Sequence, residues 1–284
     1  MTQESKAGLV VAAAAALLGV LAFGLVMPAV SKVRHADQRE RCRINLKLIG
    51  LGCDSDLTAM GSFTSGTVPN PALPPERRLS LFADLLNYME GRKGLPQFDR
   101  SAPADAAANA ALANCQPSYF VCPASAEGEV IRTAATTKSP PSPAPVTHYV
   151  GVAGVGADAA TLPAADPRAG VFGYDRRTPL KDITDGTSNT LLVIETGSNP
   201  GHWALGGPGT VRGIDPTDGP PFGVGRPFGG FHPDGWPVPG RAMPSLCNAA
   251  MADGSVRSLR PDTDPGVLAA LATIRGGESP PADW

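Results

Sequence analysis

Two hydrophobic patterns follow one another along a single helical period at the start of the chain. From Ala7 to Val30 no residue is charged, and at ~1.5 Å of rise per residue a helix of that length crosses the ~30 Å hydrocarbon core of a bilayer. Charges return at Lys32 and Arg34, yet Cys42, Leu46, Ile49, Cys53, Leu57 and Met60 recur at steps of three or four. That spacing places all six on one face, with Arg39, Glu40, Arg41, Arg43, Lys47 and Asp54 off it. The pattern predicts one helix over Ala7–Met60, transmembrane over 7–30 and amphipathic over 31–60. A polar leader, 1–6, precedes it and a body, 61–284, follows. Pro28 removes a backbone donor and predicts a bend, and Gly50 and Gly52 each weaken the helix by roughly 1 kcal/mol relative to alanine.

Downstream the periods shorten. Leu81, Phe82, Leu85, Leu86 and Met89 fit a second amphipathic helix capped by Gly91, and the alanine-rich stretch Ser101–Asn114 a third, with Ser101 as its N-cap. Tyr119–Cys122, His148–Val152 and Thr190–Glu195 read as strands, the last an apolar run after the turn-forming Asp185-Gly186. Asn248–Ala252 and Ser255–Leu259 flank Asp253-Gly254, a dipeptide that closes hairpins. Asp264-Pro265 can start a final short helix to Ile274. Gly197–Gly240 is mostly loop, and Gly 33 and Pro 30 together exceed one residue in five of 284. The composition favours a loop-rich, strand-rich α+β body. A net charge of −2 and the absence of a basic surface give no support for nucleic-acid binding.

Signal-peptide cleavage near Met27-Pro28-Ala29 competes with retention of the apolar run, and the length of the run favours retention. The basic residues after it outnumber Lys6, so the positive-inside rule alone places the body in the cytoplasm. Five cysteines, Cys42, Cys53, Cys115, Cys122 and Cys247, leave at least one without an intrachain partner. Cys42 and Cys53 are three turns apart, roughly 16 Å along a helix, and cannot bridge each other. Cys115 and Cys122 are close in sequence and can bridge if the chain is exported.

Asp182, Asp185, Thr187, Ser188 and Asn189 gather oxygen donors in one short segment. Asp182, Asp185 and Asn189 are candidate calcium ligands, against the simpler reading of a turn capped by its own side chains. Ser188, His232 and Asp253 have the residue types of a hydrolytic triad, but no G-x-S-x-G elbow accompanies them. His148, His202 and His232 lack metal-ligand spacing. Trp203 and Trp236 fit either sugar stacking or plugging of the body's own loops.

Five segments carry a resemblance: Met27–Arg34 with Cys42–Leu51 (CRINLKLIGL), Phe120–Ser125 (FVCPAS), His148–Gly154 (HYVGVAG), Asp182–Glu195 (DITDGTSNTLLVIE) and Ala252–Leu259 (ADGSVRSL). Together they resemble a large bacterial family of pilin-like proteins of unknown function, also catalogued as a solute-binding family, whose members bear a C-terminal H-x9-DG motif. Asp185, Gly186, Thr187, Ser188, Asn189, His232, Asp253 and Gly254 fall on its motif positions. The resemblance implies a long N-terminal helix, half in the membrane and half packed on an antiparallel sheet, with the body outside the cytoplasmic membrane. Two features depart from it. Lys6 and Val11 stand where pilin leaders carry Gly and Glu, and a longer stretch separates His232 from Asp253-Gly254.

The expected function is therefore that of a non-enzymatic, single-pass, pilin-like structural or interaction protein. Its partners are the membrane and either itself or other pilin-like subunits, through the N-terminal helix. An anchored solute- or polysaccharide-binding module is the alternative, and a hydrolase the weakest reading. No cofactor is expected beyond calcium.

Overall fold

The computed structural model describes residues 3–89, 96–128, 145–197, 200–216, 222, 228–230, 232–233, 245–278 and 280–281. Gln3–Met60 is one uninterrupted helix, α1, with Pro28 inside it. Cys42, Leu46, Ile49 and Cys53 are buried on its inner face, and Leu57 packs partly against the core. Met60, expected on the same stripe, is 59% exposed. The helix ends there, where Gly61 adopts a positive φ of 73° and turns the chain away. Gly52 lies so close to Met89 that a Cβ would sit 2.8 Å from its Cγ. The glycine that weakens the helix locally is what lets its neighbour approach, and packing outweighs propensity. Among the described residues no helix is long and apolar enough to cross a membrane, and in the run 7–30 the side chains at 7–11, 13, 18, 20–23 and 25 lie outside the described set.

The body is α+β. Six strands, β1 (Tyr149–Val155), β2 (Leu191–Glu195), β3 (Val211–Ile214), β4 (His232–Pro233), β5 (Ser245–Met251) and β6 (Val256–Leu259), form its sheet. β5 is central, with β2 and β6 antiparallel on its two sides and β4 paired to its first residues. β1 is antiparallel to β2 but parallel to β3. The sheet is thus mixed, not purely antiparallel as expected, because the connection from β2 to β3 is long enough to cross over and return in the same direction as β1. One face carries Tyr149, Ala153, Leu192 and Ala250 toward Leu46, Ile49 and Cys53 of α1. The other carries Val150, Val152, Ile194 and Ala249 toward Leu268 and Leu271 of a C-terminal helix, Pro265–Ala272.

Of the short elements, Leu81–Leu85 forms α2, with Ser80 accepting from the Ala83 N–H as N-cap; the expected cap Gly91 lies outside the described residues. The alanine-rich stretch yields only a 3-10 turn, Ala107–Asn109, and α3, Ala110–Ala113. Ser101 does not cap it, since Ser101 bonds Asp99 instead. The expected strand at Tyr119–Cys122 is a 3-10 turn, Ser118–Phe120. Pro117 before it disfavours a ladder, and Phe120 packs against Phe82 and Trp203 in the core rather than along a strand. The last helix, α4, is Pro265–Ala272, with Asp264 accepting from the Gly266 and Val267 N–H groups.

Candidate functional site

Where α1 meets the sheet, one face of the helix grips the segment after Phe120. Gln38 donates to the Pro123 carbonyl, Cys42 places its Sγ 2.9 Å from that of Cys122, and Asn45 donates to the Val121 carbonyl and the Tyr149 hydroxyl. Positions 38, 42 and 45 stack at helical spacing, so the three contacts run down one stripe against three consecutive residues. Cys122 is held in turn by its own N–H to His148 Nδ1 and by its carbonyl, which accepts from Ser125.

Behind the two sulfurs lie Glu195, the last residue of β2, and His232 of β4. His232 Nε2 is 3.6 Å from Cys122 Sγ and 3.2 Å from Glu195 Oε1. Asn248 on β5 fills the carboxylate, its backbone N–H 2.7 Å from Oε2 and its side-chain nitrogen 3.1 Å from each oxygen. Ser258 of β6 donates to Asn248 Oδ1 and so orients the amide. All four groups, Cys42, Cys122, Glu195 and His232, are buried, and one donor atom from each lies within 4.8 Å of the others. Two sulfurs, a carboxylate and an imidazole are the donor types of a zinc-like or iron-like centre, and these residues are the ones that could hold such an ion.

Burial and proximity divide the protons unequally. Burial raises the Cys42 thiol strongly, and the neighbouring Cys122 adds to the effect. Burial also opposes ionisation of Cys122, but its bonds to Cys42 and His232 outweigh this and bring it down to about 7. For His232 burial favours the neutral ring, and its bonds to Cys122 and Glu195 override that, raising it to about 10. Thiol and carboxylate both address Nε2, while Nδ1 has no partner among the described residues. A nucleophile–base–carboxylate relay needs its two ends on opposite ring nitrogens, and this arrangement is not one.

Ser188, His232 and Asp253, which share only the residue types of a triad, do not come together either. Asp253 is exposed and accepts from the Ser255 N–H, Ser188 is exposed, and His232 is buried at the opposite end of β5. The D-G-T-S-N segment and the Asp253-Gly254 turn do meet: the Asp253 N–H donates to the Thr187 carbonyl and the Ala252 N–H to that of Thr190. Among the calcium candidates, Asp185 accepts from Gly276 N, Gly277 N and the Thr273 hydroxyl, Asp182 pairs with Arg275, and Asn189 donates to the Asp185 carbonyl. This is the turn capped by its own surroundings. All five cysteines, Cys42, Cys53, Cys115, Cys122 and Cys247, are free in this structure; Cys122 faces Cys42 rather than Cys115, whose carbonyl accepts from Trp203 Nε1. Trp203 is fully buried and presents no face to a sugar, while Trp236 lies outside the described residues.

Sequence reasoning assigned no chemistry to Cys42 or Glu195, placing the first in a helical stripe and the second at a strand end. A signal was present. CRIN, FVCP, LLVIE and His232 each contribute one donor, although 37 residues separate even the pair nearest in sequence, Glu195 and His232. No curated protein and no solved structure matches the chain. Residues 31–266, which contain all four donors, match a family described as "Protein of unknown function (DUF1559)", and the chain belongs to that family.

Proposed function

We propose that the protein is a single-pass, membrane-anchored, pilin-like structural protein whose body stands outside the cytoplasmic membrane and whose N-terminal helix packs laterally with equivalent helices. The observation that carries this reading is the continuity of α1 from Gln3 to Met60: its second half is buried on the sheet through Leu46, Ile49 and Cys53, while its first half leaves Leu17, Val26, Met27 and Val30 exposed. Large apolar side chains exposed along a helix call for a lipid or helix partner. Small residues such as Ala12, Ala14, Ala15, Gly19 and Gly24 permit close helix approach in lipid. Lys6 and Val11 lack the processing and pairing chemistry of pilin leaders, so the reading includes an unprocessed anchor.

Membrane fractionation with mass determination of the mature N-terminus tests it. Retention in the membrane with Met1 intact, or with a cut near Lys6 or Gly8, is the expected outcome; a cut near Ala29 and release would refute the anchor. A cysteine at Ala15 should crosslink neighbouring chains, and a purely monomeric result would refute lateral packing.

A further inference from the structure

The four-donor cluster has two chemically distinct completions: a metal ion bound by all four groups, or a covalent bond between the two sulfurs with Glu195 and His232 left as a polar pair beneath it. The surroundings favour the second. At 2.9 Å the two sulfurs stand nearer than unbonded carbon atoms pack, about 3.5 Å, a spacing midway between the ~2.05 Å of a disulfide bond and the ~3.8 Å of two thiolates on a tetrahedral centre with bonds of about 2.3 Å. Glu195 already has both oxygens filled by Asn248. A histidine that ligates a metal through one nitrogen almost always donates the other to a neighbour, and among the described residues the buried His232 Nδ1 has none.

We propose that Cys42 and Cys122 close a disulfide that staples α1 to the segment preceding β1. The bond would span 80 residues of chain and join the part of the helix that sits on the sheet to the loop it already holds through Gln38 and Asn45. Any lateral load on the N-terminal half of α1 would then reach the body through a covalent link. The oxidant is an external disulfide. The Cys122 thiolate attacks one of its sulfurs and expels the other as thiolate. Cys42 then gives up its proton and attacks the Cys122 sulfur, releasing the second external thiol. Two protein thiols lose two protons and two electrons, and the external disulfide takes them. Both sulfurs are fully buried, so the exchange belongs to folding or to opening of this joint. Disulfides persist outside the reducing cytoplasm, and in the cell the inference therefore rests on the placement proposed above.

Two arms separate the bond from the placement. In the first, full-length protein is taken from membranes with its thiols alkylated at lysis, then peptide-mapped without reduction and assayed for bound metal. A crosslinked peptide joining Cys42 to Cys122, with Cys53, Cys115 and Cys247 alkylated and no bound metal, is expected. In the second, the same protein is reduced, unfolded and refolded in detergent with oxidised glutathione, and the Cys42–Cys122 link should re-form. Reducing the linked protein, or replacing both residues (C42S/C122S), should lower its melting temperature by a similar amount, about 10 °C for a loop of this length. Thiols in the first arm with the link in the second would support the bond and refute the placement. Thiols in both arms, or equimolar zinc that protects both cysteines from alkylation, would overturn the disulfide.

Discussion

Asn248 donates three N–H bonds to the carboxylate of Glu195, one from its backbone and two from its side chain. The pair ties β5 to the end of β2 and supplies the donors a buried carboxylate needs. Asn248→Ala removes two of the three and leaves the charge under-satisfied, an expected loss of about 2–4 kcal/mol in unfolding free energy. Asn248→Asp should be worse, because it sets a second carboxylate against the first. Denaturant unfolding of both variants checks the order.

Gly230 controls how closely β4 lies on β5. A Cβ there would stand 2.0 Å from the Leu246 carbonyl oxygen and 2.8 Å from Glu195 Oε2, so Gly230→Ala must push the strand outward and take His232 with it. Unfolding free energy should fall by about 1–3 kcal/mol, with hydrogen exchange accelerated mainly at the start of β5.

Two leucine-sized positions on α1 separate spine from surface. Leu46 is fully buried and Ile44 is 49% exposed. Leu46→Ala should cost about 2–5 kcal/mol through lost contact and the cavity left behind, and Ile44→Ala about 0.5 kcal/mol or less. Equal losses in thermal unfolding would show that this part of the helix is not seated on the sheet.

Asp56 of α1 accepts from Arg177 at 2.7 Å, and its second oxygen has no partner among the described residues. Burial raises its pKa above 3.8 despite the guanidinium. The folded chain therefore holds this proton more tightly than the unfolded chain. The group's contribution to stability is fully present below the unfolded value and is lost as pH rises through the raised folded one. Asp56→Asn should flatten that part of a stability profile measured from pH 3 upward, while Arg177→Ala should steepen it and lower neutral-pH stability by about 2 kcal/mol.

Asp185 holds the C-terminal segment through Gly276 and Gly277. With its oxygens taken by backbone N–H groups, millimolar calcium should leave the melting temperature unchanged, whereas Asp185→Ala should lower stability by about 1–2 kcal/mol and loosen the segment after α4, seen as faster hydrogen exchange there. A calcium-dependent rise in melting temperature lost in Asp185→Ala would restore the metal reading.

Much of the architecture was legible in order along the chain, because local periodicity and turn chemistry act over a few residues. Leu46, Ile49 and Cys53 announced the buried face of α1 by spacing alone, the Leu191–Ile194 run announced β2, and Asp253-Gly254 announced the turn between β5 and β6. The same local reasoning failed at Tyr119–Cys122. There a strand-like composition is overridden by Phe120 turning into the core against Phe82 and Trp203, a contact between segments far apart in sequence.

The amino-acid sequence by itself determined a long helix with an uncharged start and an amphipathic end, an α+β body and its family. What only the tertiary structure decided is the joint between helix and sheet. Cys42, Cys122, Glu195 and His232 come from a helix, a turn and two strands, and no short-range period relates them. Their partnership arises because burying the α1 stripe on β1, β2 and β5 fixes the distance and direction at which those four segments arrive. Long-range packing sets that geometry, and propensity and spacing along the chain do not encode it separately.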